Sequence, residues 1–552
     1  MPYPIQLAQA YGSGGKMAEG YQRGEVGVLL AGVGVGLFVF SLYALLASDL
    51  HFGYEGEHAA QAKAWVEHTL THDSLGRVQP RARGGLIDVG QYVPFYLVAQ
   101  LAGSKETQPE IEQFWYIWVH PFWNAWTAVM IFYLAWTLCR QMGAAIACAL
   151  LAATATVLFP YSKFGMETQQ TLWATASWAA LLLFHSQPTL RSAFVLGFTL
   201  AMVVLTKITG ITVAAAGAAV LVWWLLRDES FSREVRRRPA LLMPPLVGLL
   251  IGLGVLFSTN KLRYGAFTAA RYPWGDRPDA LPFTPERIWA FLASPNKSVF
   301  LFSPVLLITL PYWREFFSRH RQIIPIVVAA GALLAFHLSM NTWVDERWWF
   351  SRLHVLLPLL VLPLVVWWEK LRVQRPWQKA LAVIIIVFAC SVQLLGSAIN
   401  YTALAYVVHP SNELTRENLV WNPQYNHLRF NLWALRSWWN RKLGGAPLCF
   451  EAYRHYLPAA PPPAAYPADR YAFKGYDEHD FFLFKAWAAP DVPLARSIAR
   501  TAVGLSIAGM LLGAWCIVRA TRKSANSRGL PTSESQRASQ WAHGHLPSRK
   551  WP

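Results

Sequence analysis

Charge is what this sequence has least of. Only 14% of its 552 residues are charged, against about 25% in a typical soluble chain, which excludes three or four ordinary soluble domains. Cysteine is also scarce: Cys139, Cys148, Cys390, Cys449 and Cys516, with no CxxC pair. Most of them lie in or beside apolar segments, so neither a disulfide framework nor a metal knuckle is expected. Acidic residues are few as well, 31 against 49 Lys and Arg, a net charge of +18. No basic stripe interleaved with stacking aromatics stands outside the apolar runs. The surplus therefore reads as topology and headgroup charge, and nucleic acid is excluded as a partner. What is abundant is apolar: 54% hydrophobic and 14% aromatic residues, with 27 Trp. That composition describes an all-α polytopic membrane protein with two interfaces to anchor.

A helix needs roughly 20 apolar residues to cross the hydrocarbon core. Val26–Ala47 supplies 22 without a charge. It is too long for the apolar core of a signal peptide and carries Gly34 and Gly36, so it reads as a retained anchor. Further spans are expected at Phe114–Leu138, Met142–Tyr161, Thr168–His185, Ser192–Thr206, Ile211–Leu226, Ala240–Phe257, Ser298–Trp313, Ile323–Met340, Leu353–Trp368, Ala380–Ile399 and Thr501–Val518. The total is about twelve, because Ser192–Thr206 and Ile211–Leu226 are short.

Short loops set the orientation. Segments 227–239, 314–322 and 369–379 hold 12 Lys or Arg in 33 residues, whereas 161–167, 207–210 and 341–352 hold 4 in 23. Both termini are thus expected in the cytoplasm, in a multi-pass protein of the cell inner (cytoplasmic) membrane. The organisation expected is a cytoplasmic tail over 1–25, a transmembrane domain over 26–399, an external aromatic and Pro-rich lobe over 400–500, a last span at 501–518 and a basic tail at 519–552. External interfacial helices are expected at Glu57–Leu70 and Asn431–Trp439, and a small strand-containing lobe at Asp469–Pro490 after the polyproline-like Ala460–Pro463. No internal repeat is evident, which counts against a carrier built from pseudo-symmetric halves.

The informative ionisable groups sit at the external mouths of the spans, where they are functional hypotheses by default. Asp49, Glu55 and Glu57 follow the first span beside glycine-bearing turns; a carboxylate held there is partly desolvated and suited to general base catalysis. Lys163 and Glu167 share a tight turn between two spans with Gln169 and Gln170. Lys207 stands alone between two apolar runs, as a snorkelling lysine or as a cation placed for a phosphate. The turn 341–352 combines Trp343, Asp345, Arg347 and Arg352: arginines for a phosphate, tryptophan for a sugar face, or an interfacial aromatic belt with internal ion pairs. Asn260–Arg271 and Ser294–Lys297 form a basic, turn-rich pair that also suits a headgroup-facing loop.

Several motifs in order resemble the GT-C glycosyltransferase superfamily, which includes protein O-mannosyltransferases and bacterial lipid A aminoarabinose transferases. They are Tyr54–Ala62 after span one, Gly165–Thr168, the Lys207–Gly210 turn, Ser294-Pro295 through Phe302–Pro304, and Trp343 through Leu353 ahead of Leu357-Pro358. The resemblance covers roughly residues 26–400. It implies an inverting transferase that uses a polyprenyl-phosphate-linked sugar, with a lipid, glycan or protein as acceptor. By position it makes Glu55 the base, with Glu57 and Asp49 behind it, and Glu167 the second acid that orients the acceptor or the base. Lys163, Lys207, Arg347 and Arg352 would meet the donor phosphate, and Trp343, Asp345 and Tyr54 the substrate. Relatives often carry Asp-Glu where this chain has Tyr54-Glu55, so either Glu55 acts or the acid is shifted. Cations can replace a metal at the leaving phosphate, so no obligatory metal or other cofactor is expected; some relatives do use a divalent ion. The competing class is a polytopic transporter or lipid flippase.

Overall fold

The computed structural model of the chain describes residues 14–48, 54–70, 86–102, 116–163, 168–207, 209–264, 284–339, 351–399, 416–444, 480–488 and 493–528. Among them there are helices and no strands. In chain order they are α1 (Gly14–Leu45), α2 (Tyr54–Leu70), α3 (Leu86–Gly90), α4 (Val93–Ala102), α5 (Val119–Cys139), α6 (Met142–Ala155), α7 (Leu158–Tyr161) and α8 (Thr168–Ser186). Then come α9 (Leu190–Thr206), α10 (Gly210–Arg227), α11 (Glu229–Arg237), α12 (Met243–Tyr264), α13 (Pro285–Ala293), α14 (Val299–Phe302), α15 (Leu306–Thr309) and α16 (Trp313–Arg319). The last are α17 (Ile324–Ser339), α18 (Leu357–Leu360), α19 (Leu364–Lys370), α20 (Pro376–Ala398), α21 (Arg416–Trp421), α22 (His427–Lys442), α23 (Phe482–Ala488) and α24 (Pro493–Arg528).

Eight helical stretches among the described residues are long and apolar enough to cross a membrane: Val26–Leu45, Val119–Cys139, Gly210–Arg227, Pro239–Lys261, Arg321–Ser339, Leu353–Lys370, Pro376–Ala398 and Arg496–Ser524. Met142–Ala155 and Leu190–Thr206 are shorter apolar helices. The protein is therefore a polytopic membrane protein, all-helical in its described elements.

Two seams show why the helices pack as they do. Along α1 and α24, which run antiparallel, a β-carbon on Gly34 would lie 2.9 Å from the Gly513 carbonyl oxygen, and one on Gly509 only 2.2 Å from Ser41 Oγ. Along α9 and α12, which run parallel, a β-carbon on Gly248 would lie 2.1 Å from the Gly197 carbonyl oxygen. In lipid there is little hydrophobic drive between helices, so close backbone approach through small residues supplies the packing energy.

Three expectations need correction. Met142–Tyr161 is not one helix: α6 stops at Ala155, Thr156 is extended, and α7 resumes at Leu158. Ser298–Trp313 is likewise interrupted, into α14, α15 and a 3-10 turn at Leu310–Tyr312, because Pro304 and Pro311 lack the N–H a continuous helix needs. The two interruptions meet. The Val157 N–H donates to Ser303 Oγ at 3.2 Å, and Gln393 Nε2 of α20 donates to the Phe302 carbonyl at 2.7 Å. Backbone groups freed in apolar surroundings are thus satisfied by side chains. Finally, within the region expected to contain strands, Phe482–Ala488 is a helix, its Leu483 buried against Ala44, Ala47 and Trp118; residues 469–479 lie outside the described residues. The helices expected at Glu57–Leu70 and Asn431–Trp439 are present as α2 and α22.

Candidate functional site at one end of the bundle

The chain gathers buried polar side chains at one end: where α1 and α9 finish, α5, α8 and α10 begin, and α20 finishes. The first turn of α8 forms the centre. Thr168, Gln169, Gln170 and Thr171 are all buried, and the first three bond to neighbouring segments. Asn124 Nδ2 of α5 donates to the Tyr161 carbonyl at 2.9 Å and to Thr168 Oγ1 at 3.3 Å. Gln169 Nε2 donates to Gln91 Oε1 at 3.0 Å, while Gln169 Oε1 accepts from Trp173 Nε1 at 3.0 Å. Gln170 Oε1 accepts from Thr209 Oγ1 at 3.2 Å.

Each bridge reaches a segment singled out by its sequence. Gln91 follows α3, on which α2 rests: Ala59 and Ala62 pack with Val89, Tyr92 and Tyr96, and Tyr96 Oη donates to Glu67 Oε1 at 2.9 Å. Tyr92 Oη and His120 Nε2 share a buried hydrogen bond of 2.8 Å beside this contact. Tyr54, Glu55 and Glu57 are therefore on the first turn of a helix docked at this end; their side chains lie outside the described residues. Thr209 belongs to the turn of Lys207, which is half-buried in an extended conformation after α9, with the Gly210 N–H donating to its carbonyl at 2.7 Å. Only glycine fits at 210, because a β-carbon there would lie 1.8 Å from the Val203 carbonyl oxygen. Tyr161, in turn, meets the His354 ring at a centroid distance of 3.7 Å. His354 shares with Arg352 the 3-10 helix Ser351–Leu356; the Arg352 side chain is outside the described residues, as are Asp49, Glu167, Trp343, Asp345 and Arg347.

Lys163 has a different setting. Its ammonium lies 3.7 Å from the Asp480 carboxylate, with the two side chains only 1% and 5% exposed. It also donates to the carbonyls of Ser397 and Asp480, and sits 4.5 Å from the Phe481 ring centroid. Ser48 Oγ donates to Asp480 Oδ2 at 2.5 Å, and the Asp480 N–H to the Ala398 carbonyl at 2.7 Å. A charge taken out of water needs this full set of partners. The cluster ties α1, α7 and α20 to residue 480.

Two features escaped the sequence. Nothing in the chain marks Asp480, among its 31 acids, as the partner of a lysine 317 residues away. The basic turn Ser294–Lys297 suited a headgroup-facing loop as well as a functional one, yet Lys297 is buried along with Ser294 and Asn296. The reason is that Asn296 Nδ2 donates to the Asn422 carbonyl at 2.6 Å and Asn426 Nδ2 to that of Pro295, which covers the turn with residues 422–426. Among the described residues no group of three His, Cys, Asp or Glu side chains is placed to hold a metal ion. No family model matches the chain, and no curated protein matches it.

Proposed function

We propose that the protein is an integral-membrane, inverting glycosyltransferase of the GT-C type, moving a sugar from a polyprenyl-phosphate donor to an acceptor hydroxyl. One observation carries this: the Gln169–Gln91 and Gln170–Thr209 hydrogen bonds and the Tyr161–His354 contact bring the helix of Glu55, the start of α8 after Glu167, the turn of Lys207 and the 3-10 helix of Arg352 to one end. Acid and cations from distant parts of the chain are what a phosphate-leaving transfer requires. Glu55, with Glu57 and Asp49 near it in sequence, takes the acceptor proton as the hydroxyl oxygen attacks the anomeric carbon. The bond to the donor phosphate breaks, and Lys207, Arg347 and Arg352 receive the charge that develops on the leaving oxygen. Glu167 orients the acceptor, while Tyr54, Trp343 and Asp345 contact the sugar. Lys163, already held by Asp480, shapes the site rather than meeting the phosphate. In this arrangement the chain crosses the cytoplasmic membrane about twelve times, with both termini inside and the site outside. Purified protein with polyprenyl-phosphate sugars and acceptor lipids should transfer sugar, and Glu55→Gln should not; equal transfer by both would overturn the mechanism.

A second reading, a transporter or lipid flippase, draws on the interruptions at Thr156 and Ser303, since broken helices often build carrier sites. The groups at these breaks are hydroxyls and an amide that satisfy backbone, with no ionisable side chain among them. Counterflow of a labelled headgroup in proteoliposomes, without sugar transfer, would favour this reading.

A further inference from the structure

α22 has an unusual outward face. Its sequence holds Arg429, Arg436, Arg441 and Lys442 and no acid. His427, Phe430, Asn431, Ala434 and Ser437 point inward and are buried. The opposite stripe, at alternating spacings of three and four, runs Arg429, Leu432, Arg436, Trp439 and on to Leu443, all exposed. The apolar members are wide open: Leu432 63%, Trp439 57% and Leu443 71%. A water-facing helix has no reason to present Leu, Trp and Leu in line, and a helix facing hydrocarbon would not place two arginines among them.

The position of α22 resolves the conflict. Asn431 Nδ2 donates to the Leu395 carbonyl at 3.0 Å, near the C-terminal end of α20. α20 has 23 residues, roughly 34 Å at 1.5 Å per residue, so this end stands at the edge of a hydrocarbon core about 30 Å thick. Its exposed apolar stripe, Ile384, Val387 and Phe388, continues to Leu394, the residue next to the one that α22 grips. The outward face of α22 therefore begins where the lipid-facing surface of α20 stops.

We propose that this face is a docking surface for anionic phospholipid headgroups in the leaflet at the site end of the bundle. Leu432, Trp439 and Leu443 enter the acyl boundary, and Arg429, Arg436 and Lys442 pair with phosphate groups above it. The surface is independent of the proposed activity. It clamps the segment over the buried turn of Asn296 and Lys297 against the membrane.

The test uses the full chain in nanodiscs containing a photoactivatable phosphatidylglycerol, with the phosphatidylcholine analogue for comparison and mass spectrometry to place the adducts. Adducts on 427–444 should favour phosphatidylglycerol by roughly fivefold or more and should weaken with salt. Combined Arg429→Gln, Arg436→Gln and Lys442→Gln should level the two lipids while leaving adducts on the stripe of α20 intact. Should that variant lose the α20 adducts as well, the charge-conserving pair Arg429→Lys and Arg436→Lys decides: retained preference supports the proposal, lost preference overturns it. Equal labelling by both lipids in the unmodified protein would overturn it too. So would a preference that survives the triple substitution, or labelling of Trp439 by a water-soluble carbene reagent in place of either lipid.

Discussion

The two ends of the bundle handle charge in opposite ways. At the site end, Lys163 and Asp480 are sealed inside, and the remaining polar groups are mostly amides and hydroxyls that bond one another. At the other end charges stay near water: Arg319 bonds Glu315 and, at 2.5 Å, Glu369, and Lys370 bonds Glu315. Exposed pairs trade one set of water contacts for another and gain little. A buried pair has no alternative partner, so its removal is costly although its formation gains little over an apolar pair. The site end is thus organised by groups that must be satisfied, and the other end by charges that set solubility and topology.

The largest expected effect is on the proposed chemistry. On the proposed function, Glu55→Gln should lower sugar transfer by about two to four orders of magnitude, the contribution of a general base, with an unchanged thermal midpoint in detergent. Next comes the buried pair: Asp480→Asn should destabilise the fold by about 3–5 kcal/mol, because Lys163 is left charged and buried. The double change Lys163→Met and Asp480→Leu should recover much of that loss, so a double variant as unstable as the single one would show that the pair is more than a charge balance. Gly248→Val, which forces α9 and α12 apart, should cost about 1–3 kcal/mol and show as faster unfolding in detergent. Breaking the exposed network with Arg319→Gln should cost less than about 1 kcal/mol; a larger loss would erase the contrast between the ends.

The smallest effect is that of acidity, and it should appear at the charged end. The Lys370 hydrogen bond, helped by Arg319, holds the Glu315 carboxyl below its ordinary value. Burial alone would raise Asp228, but hydrogen bonds from Ser230, Phe231 and His185 outweigh it and bring its value down. Burial, with the charge of Arg319, pushes His320 below the usual imidazole range. All three shifts have the same sign: the folded state binds protons less readily than the unfolded chain. Their stabilisation is complete at pH above the ordinary values and is lost as pH falls, first through the histidine range and then through the carboxylate range. Thermal midpoints measured from neutral to mildly acidic pH should decline slightly, and His320→Gln should flatten the first part of that decline.

Most of the helical plan was legible from apolar run length alone, because a bilayer demands about 20 residues per crossing whatever their neighbours. The interruptions at Thr156 and Ser303 were not. Pro304 and Pro311 deprive a helix of two N–H donors, but whether the chain breaks there depends on Ser303 and Gln393 finding freed backbone groups on other helices. The motif segments at the site were likewise visible, since a polar turn between apolar runs stands out by contrast. Their mutual arrangement was not, because the glutamines that join them resemble any polar residues until Gln91 and Thr209 are seen to bond them.

By itself, the sequence determined that this protein lives in a membrane, which segments are apolar enough to enter it and where its few charges lie, all properties additive along the chain. Tertiary structure decided which of those charges face water and which must be paired. It buried Lys163 against an acid from the far end of the chain and covered Lys297 with residues 422–426. It also set a basic, aromatic helix beside the C-terminal end of α20. The physical reason is that the cost of a charge or an unpaired amide depends on the dielectric and the donors around it, and only packing supplies both.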